Sequence, residues 1–247
     1  MRYFIELSYN GKAYHGWQNQ PNAISVQQIL EDALSKLLKS KIEIVGAGRT
    51  DAGVHAEQMF AHLGFQDKFD IEKMIFKLNS FLPKDISIHN ILEVKEDAHA
   101  RFDAVSRTYN YKIALRKDVF NYEGSYYLKH DLNVAKMNEA ANILFDYKNF
   151  KCFSRSNTDV KTYHCDIMLA EWKKTDNQLI FTIKANRFLR NMVRAIVGTM
   201  LDIGHGKTTI EQFHEIIKSE NRTKAGASVP AHGLYLSRIE YPKNIFK

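Results

Sequence analysis

The chain has 247 residues, 45% of them hydrophobic and 26% charged, enough to bury a sizeable core in one or two domains. No apolar run approaches the roughly 18 residues of a membrane span, and the opening Met-Arg-Tyr-Phe-Ile-Glu has no apolar leader, so no membrane partner and a cytoplasmic location are expected. The formal net charge of +7 fits either a solvated basic surface or a polyanionic partner, while Cys152 and Cys165 lack the C-x-x-C spacing of a zinc set and offer no disulfide framework.

Arg2 to Tyr9 alternates as a strand does and ends at the turn signal Asn10-Gly11. Ser25 and Gln28 have capping-box spacing, and Val26, Ile29, Leu30, Ala33, Leu37 and Leu38 recur at helical intervals, which predicts an amphipathic helix over about 26–39. The β-rich stretch Ile42 to Val45 runs into Gly46-Ala-Gly48, a loop that allows unusual dihedrals or the close approach of another molecule. A helix at 71–79, a turn at Pro83-Lys-Asp85 and a strand at 86–94 follow. The second half predicts a strand at 107–116, a helix at about 133–145, strands near 162–173 and 178–185, and helices at about 187–202 and 208–218. Strands and helices mix without strict βαβ alternation, so the expected class is α+β with largely antiparallel strands. Four prolines and no low-complexity stretch leave no room for a long linker, which predicts a tight crossover near 105 between domains 1–105 and 106–247.

Three segments carry chemistry. Gly46-Ala-Gly-Arg-Thr-Asp-Ala-Gly-Val-His55 sets one carboxylate, Asp51, in a loop poor in bulky side chains. Such an Asp is either a turn-former or a catalyst, and Asp51 with His55 is too small a set for a metal site. Arg101-Phe-Asp-Ala-Val-Ser-Arg-Thr-Tyr-Asn-Tyr111 mixes arginines with aromatics, a pairing suited to phosphate and unstacked base, although Tyr109 and Tyr111 also fit as core aromatics on one strand face. In Lys184-Ala-Asn-Arg-Phe-Leu-Arg-Asn-Met-Val-Arg-Ala-Ile-Val-Gly198, helical geometry would put Arg187, Arg190 and Arg194 on one face, basic toward RNA or merely solvated, opposite an apolar face.

In this order the segments resemble the tRNA pseudouridine synthase A family, with its blocks G-R-T-D-x-G-V-H, A-R-F-x-A-x-x-R-x-Y-x-Y and F-x-x-x-M-V-R-x-I-V-G. The resemblance runs end to end, from Tyr-Asn-Gly-x-x-Tyr-His-Gly-Trp-Gln over Tyr9 to Gln18 to Gly-Leu-Tyr-Leu over Gly233 to Leu236. One departure lies at Cys165, where the family pattern has an arginine nearby. The resemblance implies two ferredoxin-like lobes of the pseudouridine synthase fold around a central basic cleft, a homodimer, no cofactor and no metal. It implies isomerisation of uridines 38, 39 and 40 in the tRNA anticodon stem-loop, with Asp51 as nucleophile, Tyr109 stacking on the target base and Arg194 as the basic partner of the aspartate. Arg49 would fill the place the flipped base vacates, and Arg101, Arg107, Lys184, Arg187 and Arg190 would meet the RNA backbone.

Two other functions compete. A non-catalytic RNA-binding protein or RNA chaperone would have no reason to keep a carboxylate beside polyanionic RNA together with Tyr109 and Arg194. A metal-dependent phosphoester hydrolase built on Asp51 and His55 would lose activity in chelator.

Overall fold

The computed structural model describes residues 1–156 and 160–247. They form two compact units, residues 1–105 with 235–247 and residues 106–234. Both are mixed α/β with largely antiparallel strands, as composition and pattern led one to expect.

In the first unit the central strand β1 (Arg2–Tyr9) buries Phe4, Ile5 and Leu7 completely. It runs antiparallel between β3 (His55–Gly64) and β4 (Ile86–Val94), and the two-residue β2 (Val45–Gly46) pairs with the far side of β3. Helix α1 (Val26–Leu38) starts at Ser25, whose hydroxyl accepts from the Gln28 N–H at 3.1 Å, and buries Val26, Leu30, Ala33 and Leu34. Helix α2 (Ile71–Phe81) is capped in the same way by Asp70.

Strand β3 has no counterpart among the predicted elements. Its sequence His-Ala-Glu-Gln-Met-Phe-Ala-His-Leu-Gly lacks alternation because seven of its ten residues are buried, on both faces of the sheet. It is the strand that carries the Asp51 loop into the sheet. Residues 235–247 also differ from the expected division: the last strand, β9 (Leu234–Glu240), pairs in parallel with β3 through His55 opposite Tyr235 and Ala56 opposite Leu236. Residues 235–247 thus belong to the first unit, with residues 1–105.

The second unit is built on β8 (Gln178–Ala185), antiparallel to both β5 (Ser106–Ala114) and β7 (Ile167–Lys174), with the two-residue β6 (Tyr126–Tyr127) alongside β5. Its helices are α3 (Val134–Ile143), α4 (Met192–Gly204) and α5 (Ile210–Lys218), the last started by a Thr209–Gln212 capping box. Strand β7 begins later than predicted because residues 160–166 form a loop. Helix α4 also begins later. Asn191 adopts a left-handed conformation, φ 66° and ψ 3°, which breaks helical geometry. Arg187 and Arg190 therefore precede the helix, and the shared basic face with Arg194 does not form. Eleven of the thirteen residues of α4 are buried, so it is a core helix on which Arg194 and Asp202 alone are half exposed.

Buried His62 on β3 ties the 98–101 turn to the sheet, since its Nδ1 accepts the Ala100 N–H at 3.1 Å. Burial, then the neighbouring charges of His99 and Arg2, pulls its pKa down to about 4. The unfolded chain therefore takes up a proton near pH 6.5 that the folded chain refuses until about pH 4. Stability is full above about pH 6.5 and declines as the pH falls toward 4, by at most about 1.4 kcal/mol per pH unit from this group. Urea midpoints measured from pH 7 to pH 4.5 should fall on acidification, and the decline should be shallower in His62→Asn, which keeps an acceptor near Nδ1 but cannot titrate.

Candidate active site

Residues 47–54 join β2 to β3, and Asp51 sits half-buried in this loop. The loop is pinned at its start by the Ala47 N–H on the Phe60 carbonyl (2.8 Å) and turns through Val54 N–H to Asp51 C=O (3.2 Å), with Gly53 at φ 78°. The segment following β1 then wraps it. Trp17 N–H donates to the Thr50 carbonyl (3.4 Å), Gly53 N–H to the Tyr14 carbonyl (3.3 Å), and the Tyr9 and Thr50 hydroxyls share a hydrogen bond of 2.9 Å. Asp51 is thus flanked on both sides by residues stitched to a second chain segment.

This wrapping leaves no room for side chains. A Cβ on Gly16, which stands at φ 91°, would run into the Thr50 carbonyl, and one on Gly11 into the Val54 carbonyl. Gly46 lies in the same way against the buried indole of Trp17. The wrapping segment is itself anchored at the turn before β4: Asn10 N–H donates to the Asp85 carbonyl (2.9 Å) and Tyr14 Oη–H to Asp85 Oδ1 (2.7 Å). Burial, reinforced by this bond to a carboxylate, raises the Tyr14 phenol far above its usual pKa, so it stays a donor. Asp85 was visible in the sequence only as part of a turn.

His55 is a brace. Its ring is buried, stacked on Tyr235 at 4.6 Å and 20°, and its Nδ1 accepts the Gly11 N–H at 3.1 Å. A nitrogen used in this way is not offered to a metal alongside Asp51, and among the described residues no three His, Cys, Asp or Glu side chains gather as a metal set. Burial, then the charge of Glu57, pushes the Tyr235 phenol up to about 12. Arg49 is exposed on the loop, and exposed Arg101 lies over the Phe102 ring at 5.6 Å.

In the second unit the two tyrosines of β5 part company. Tyr111 is fully buried, donates to the Pro230 carbonyl (2.9 Å), and is met so closely by Gly233 that an added Cβ would lie 2.7 Å from Cζ. Tyr109 is half exposed, and the Phe188 ring meets it edge-on at 5.1 Å and 86°. Arg107 shares the face of Tyr109 and donates through Nη1 to the Asn186 carbonyl (2.9 Å). Lys184 pairs with Thr108 and so projects from the opposite face of the sheet. Arg187 is half-buried and Arg190 exposed, both ahead of α4.

Arg194, in the first turn of α4, donates through Nε to the Val229 carbonyl (2.7 Å), and the Val229 N–H returns to the Arg194 carbonyl (3.2 Å). Val229 belongs to a strap, residues 222–230, that the sequence reading passed over. The strap lies on α4 where Gly198 leaves no space for a Cβ beside the Ala227 carbonyl and Thr199 Oγ1 accepts the Gly226 N–H at 2.9 Å. Its only sequence signal is the punctuation of Gly226 and Pro230. Both cysteines are buried, and burial raises their thiols, Cys152 to about 12 and Cys165 to about 11. Cys165 donates to the Met192 thioether (3.8 Å), so the position that departs from the family pattern is interior.

The family model described as tRNA pseudouridine synthase matches residues 7–103 and 140–242, spans that include the Asp51 loop, α4 and the strap. Tyr109 lies between them, within the full-length matches to individual relatives. The protein named tRNA pseudouridine synthase A from Bacteroides fragilis is 52% identical over 248 aligned residues, covering 100% of this chain and 98% of the relative. Proteins of the same name from Porphyromonas gingivalis and Thermoanaerobacter pseudethanolicus are 49% and 37% identical, with at least 96% of this chain and 98% of each relative covered. With a family model matching most of its length and relatives matching nearly all of it, this chain belongs to the tRNA pseudouridine synthase family.

Proposed function

We propose that the protein isomerises uridine to pseudouridine in tRNA, at positions 38, 39 and 40 of the anticodon stem-loop, with Asp51 as the nucleophile. The observation that carries this reading is the treatment of Asp51: a half-buried carboxylate on a loop whose neighbouring residues, Thr50 and Gly53, are each hydrogen-bonded to a wrapping segment that admits only glycine at its closest approach. A turn-forming aspartate needs no such support, whereas a group that must meet a sugar–base bond within a fraction of an ångström does.

The reaction breaks the N1–C1′ bond, turns the base and joins C5 to C1′, so an ionised carboxylate has to stand beside sugar and base. Arg194 serves the substrate with its cationic side chain, Tyr109 offers its ring to the target base, and Arg49 takes the space the base leaves. Extracting the uridine from its stack costs a few kcal/mol, offset by backbone contacts from Arg101, Arg107, Lys184, Arg187 and Arg190. Arg107 enters that set already holding the Asn186 carbonyl, which fixes its guanidinium before RNA arrives. The protein works in the cytoplasm as a homodimer, without cofactor or metal. Among the described residues no helix is long and apolar enough to cross a membrane.

Tritium release from tRNA transcript labelled at uridine C5, measured in chelator, tests the assignment. Wild type should release tritium, and Asp51→Ala should release none while binding tRNA with unchanged affinity. A folded, tRNA-binding wild type that releases nothing from any tRNA would leave a non-catalytic RNA-binding protein. Gly16→Ala should keep tRNA binding within a few fold but slow release by about 100-fold, because displacing the Thr50–Asp51 backbone misplaces the reacting group. Turnover at the wild-type rate in Gly16→Ala would show that the wrapping segment does not position Asp51.

A further inference from the structure

The guanidinium of Arg194 is aimed by a carbonyl outside its own helix. Its Nε–H ends on Val229, and Val229 lies on a strap whose only regular element is one short turn, Arg222–Lys224. A carbonyl on irregular chain holds a side chain in place only if something holds the carbonyl. The adjacent residue, Ser228, is gripped from two directions: Asn191 Nδ2 donates to its Oγ at 2.6 Å and Arg222 Nη2 at 2.9 Å. Arg222 also folds the strap onto itself, with Nη1 on the carbonyls of Gly226 (3.1 Å) and Ala225 (3.3 Å). One planar guanidinium thus fastens three points of the strap, a geometry suited to a rigid fork of donors.

Asn191 occupies a backbone position that glycine would fill with less strain, at φ 66°. A glycine there would supply the turn before α4 but not the amide that reaches Ser228. The residue that ends the irregular approach to α4 is therefore the one that ties the helix start to the strap, three positions before Arg194.

We propose that Asn191 and Arg222 are positioning residues for the isomerisation, clamping Ser228 so that the Val229 carbonyl fixes the guanidinium of Arg194. This rests on the role assigned above to Arg194. Neither residue needs to touch RNA, and the charge of Arg222 is spent inside the strap rather than on phosphate.

The test compares single-turnover tritium release and tRNA dissociation constants for Asn191→Gly, which keeps the backbone conformation, and Ser228→Ala, each made in the wild type and in Arg194→Lys. In the wild type both substitutions should slow release by about 10-fold or more while the dissociation constant stays within about twofold. In Arg194→Lys, which has no Nε–H for Val229 to hold, the same substitutions should add nothing. Unchanged release in folded Asn191→Gly and Ser228→Ala would overturn the proposal, as would an equal slowing in both backgrounds, which would make the strap a packing element only. A wild type that binds tRNA and releases no tritium would overturn the isomerase reading, and the proposal with it.

Discussion

The first unit depends on one close approach, the backbone of residues 11–16 lying against the backbone of residues 50–54. Two bare glycines make it possible, and the hydrogen bonds it permits leave Thr50 and Gly53 little freedom to move. Remove the approach and the Asp51 loop becomes an ordinary connection between a two-residue strand and a long one. Everything around it serves to keep the two segments together: Asp85 anchors the wrapping segment from behind, Trp17 seals the contact at Gly46, and His55 receives the Gly11 N–H while stacked on Tyr235. The backbone around Asp51 is held by many weak restraints acting together.

The second unit solves a different problem, that of placing a cation on a helix that is almost wholly interior. A guanidinium leaving a buried helix has few directions open, and burying it unpaired would be costly. Here its Nε–H is taken by a backbone carbonyl at the first opportunity, which restricts the plane of the group while keeping its charge. Tyr109 is treated comparably. Its partner on the strand, Tyr111, is committed to the interior, while Tyr109 stays partly exposed and is met at the ring edge by Phe188.

Local pattern revealed much of this fold, and its failures have physical causes. Strand β1 and helices α1 and α5 were legible because each buries one clear face or carries a cap. Strand β3 was not, since burial on both sides erased the alternation by which strands are recognised, and its histidines and glutamine looked like loop. The spacing of Arg187, Arg190 and Arg194 suggested a single helical face, yet a left-handed Asn191 with no glycine or proline to announce it divides them. The interior place of Tyr111 was decided by Pro230 and Gly233, more than a hundred residues away. Asp51 stood out in the sequence only through its motif; the reason it is held so firmly lies in residues 9–17 and 85, which no local window connects.

The pairing of β9 with β3 has a consequence for how the protein is made. The stretch 106–234 is continuous, so it can begin to fold as it leaves the ribosome. The first unit has to wait: β3 is synthesised early, but the strand beside it and the tyrosine that braces His55 follow only after the whole of the second unit has been translated. A nascent chain stalled before residue 235 would carry the Asp51 loop with one of its supports missing. The order of synthesis thus makes the surroundings of Asp51 among the last parts of the molecule to be completed.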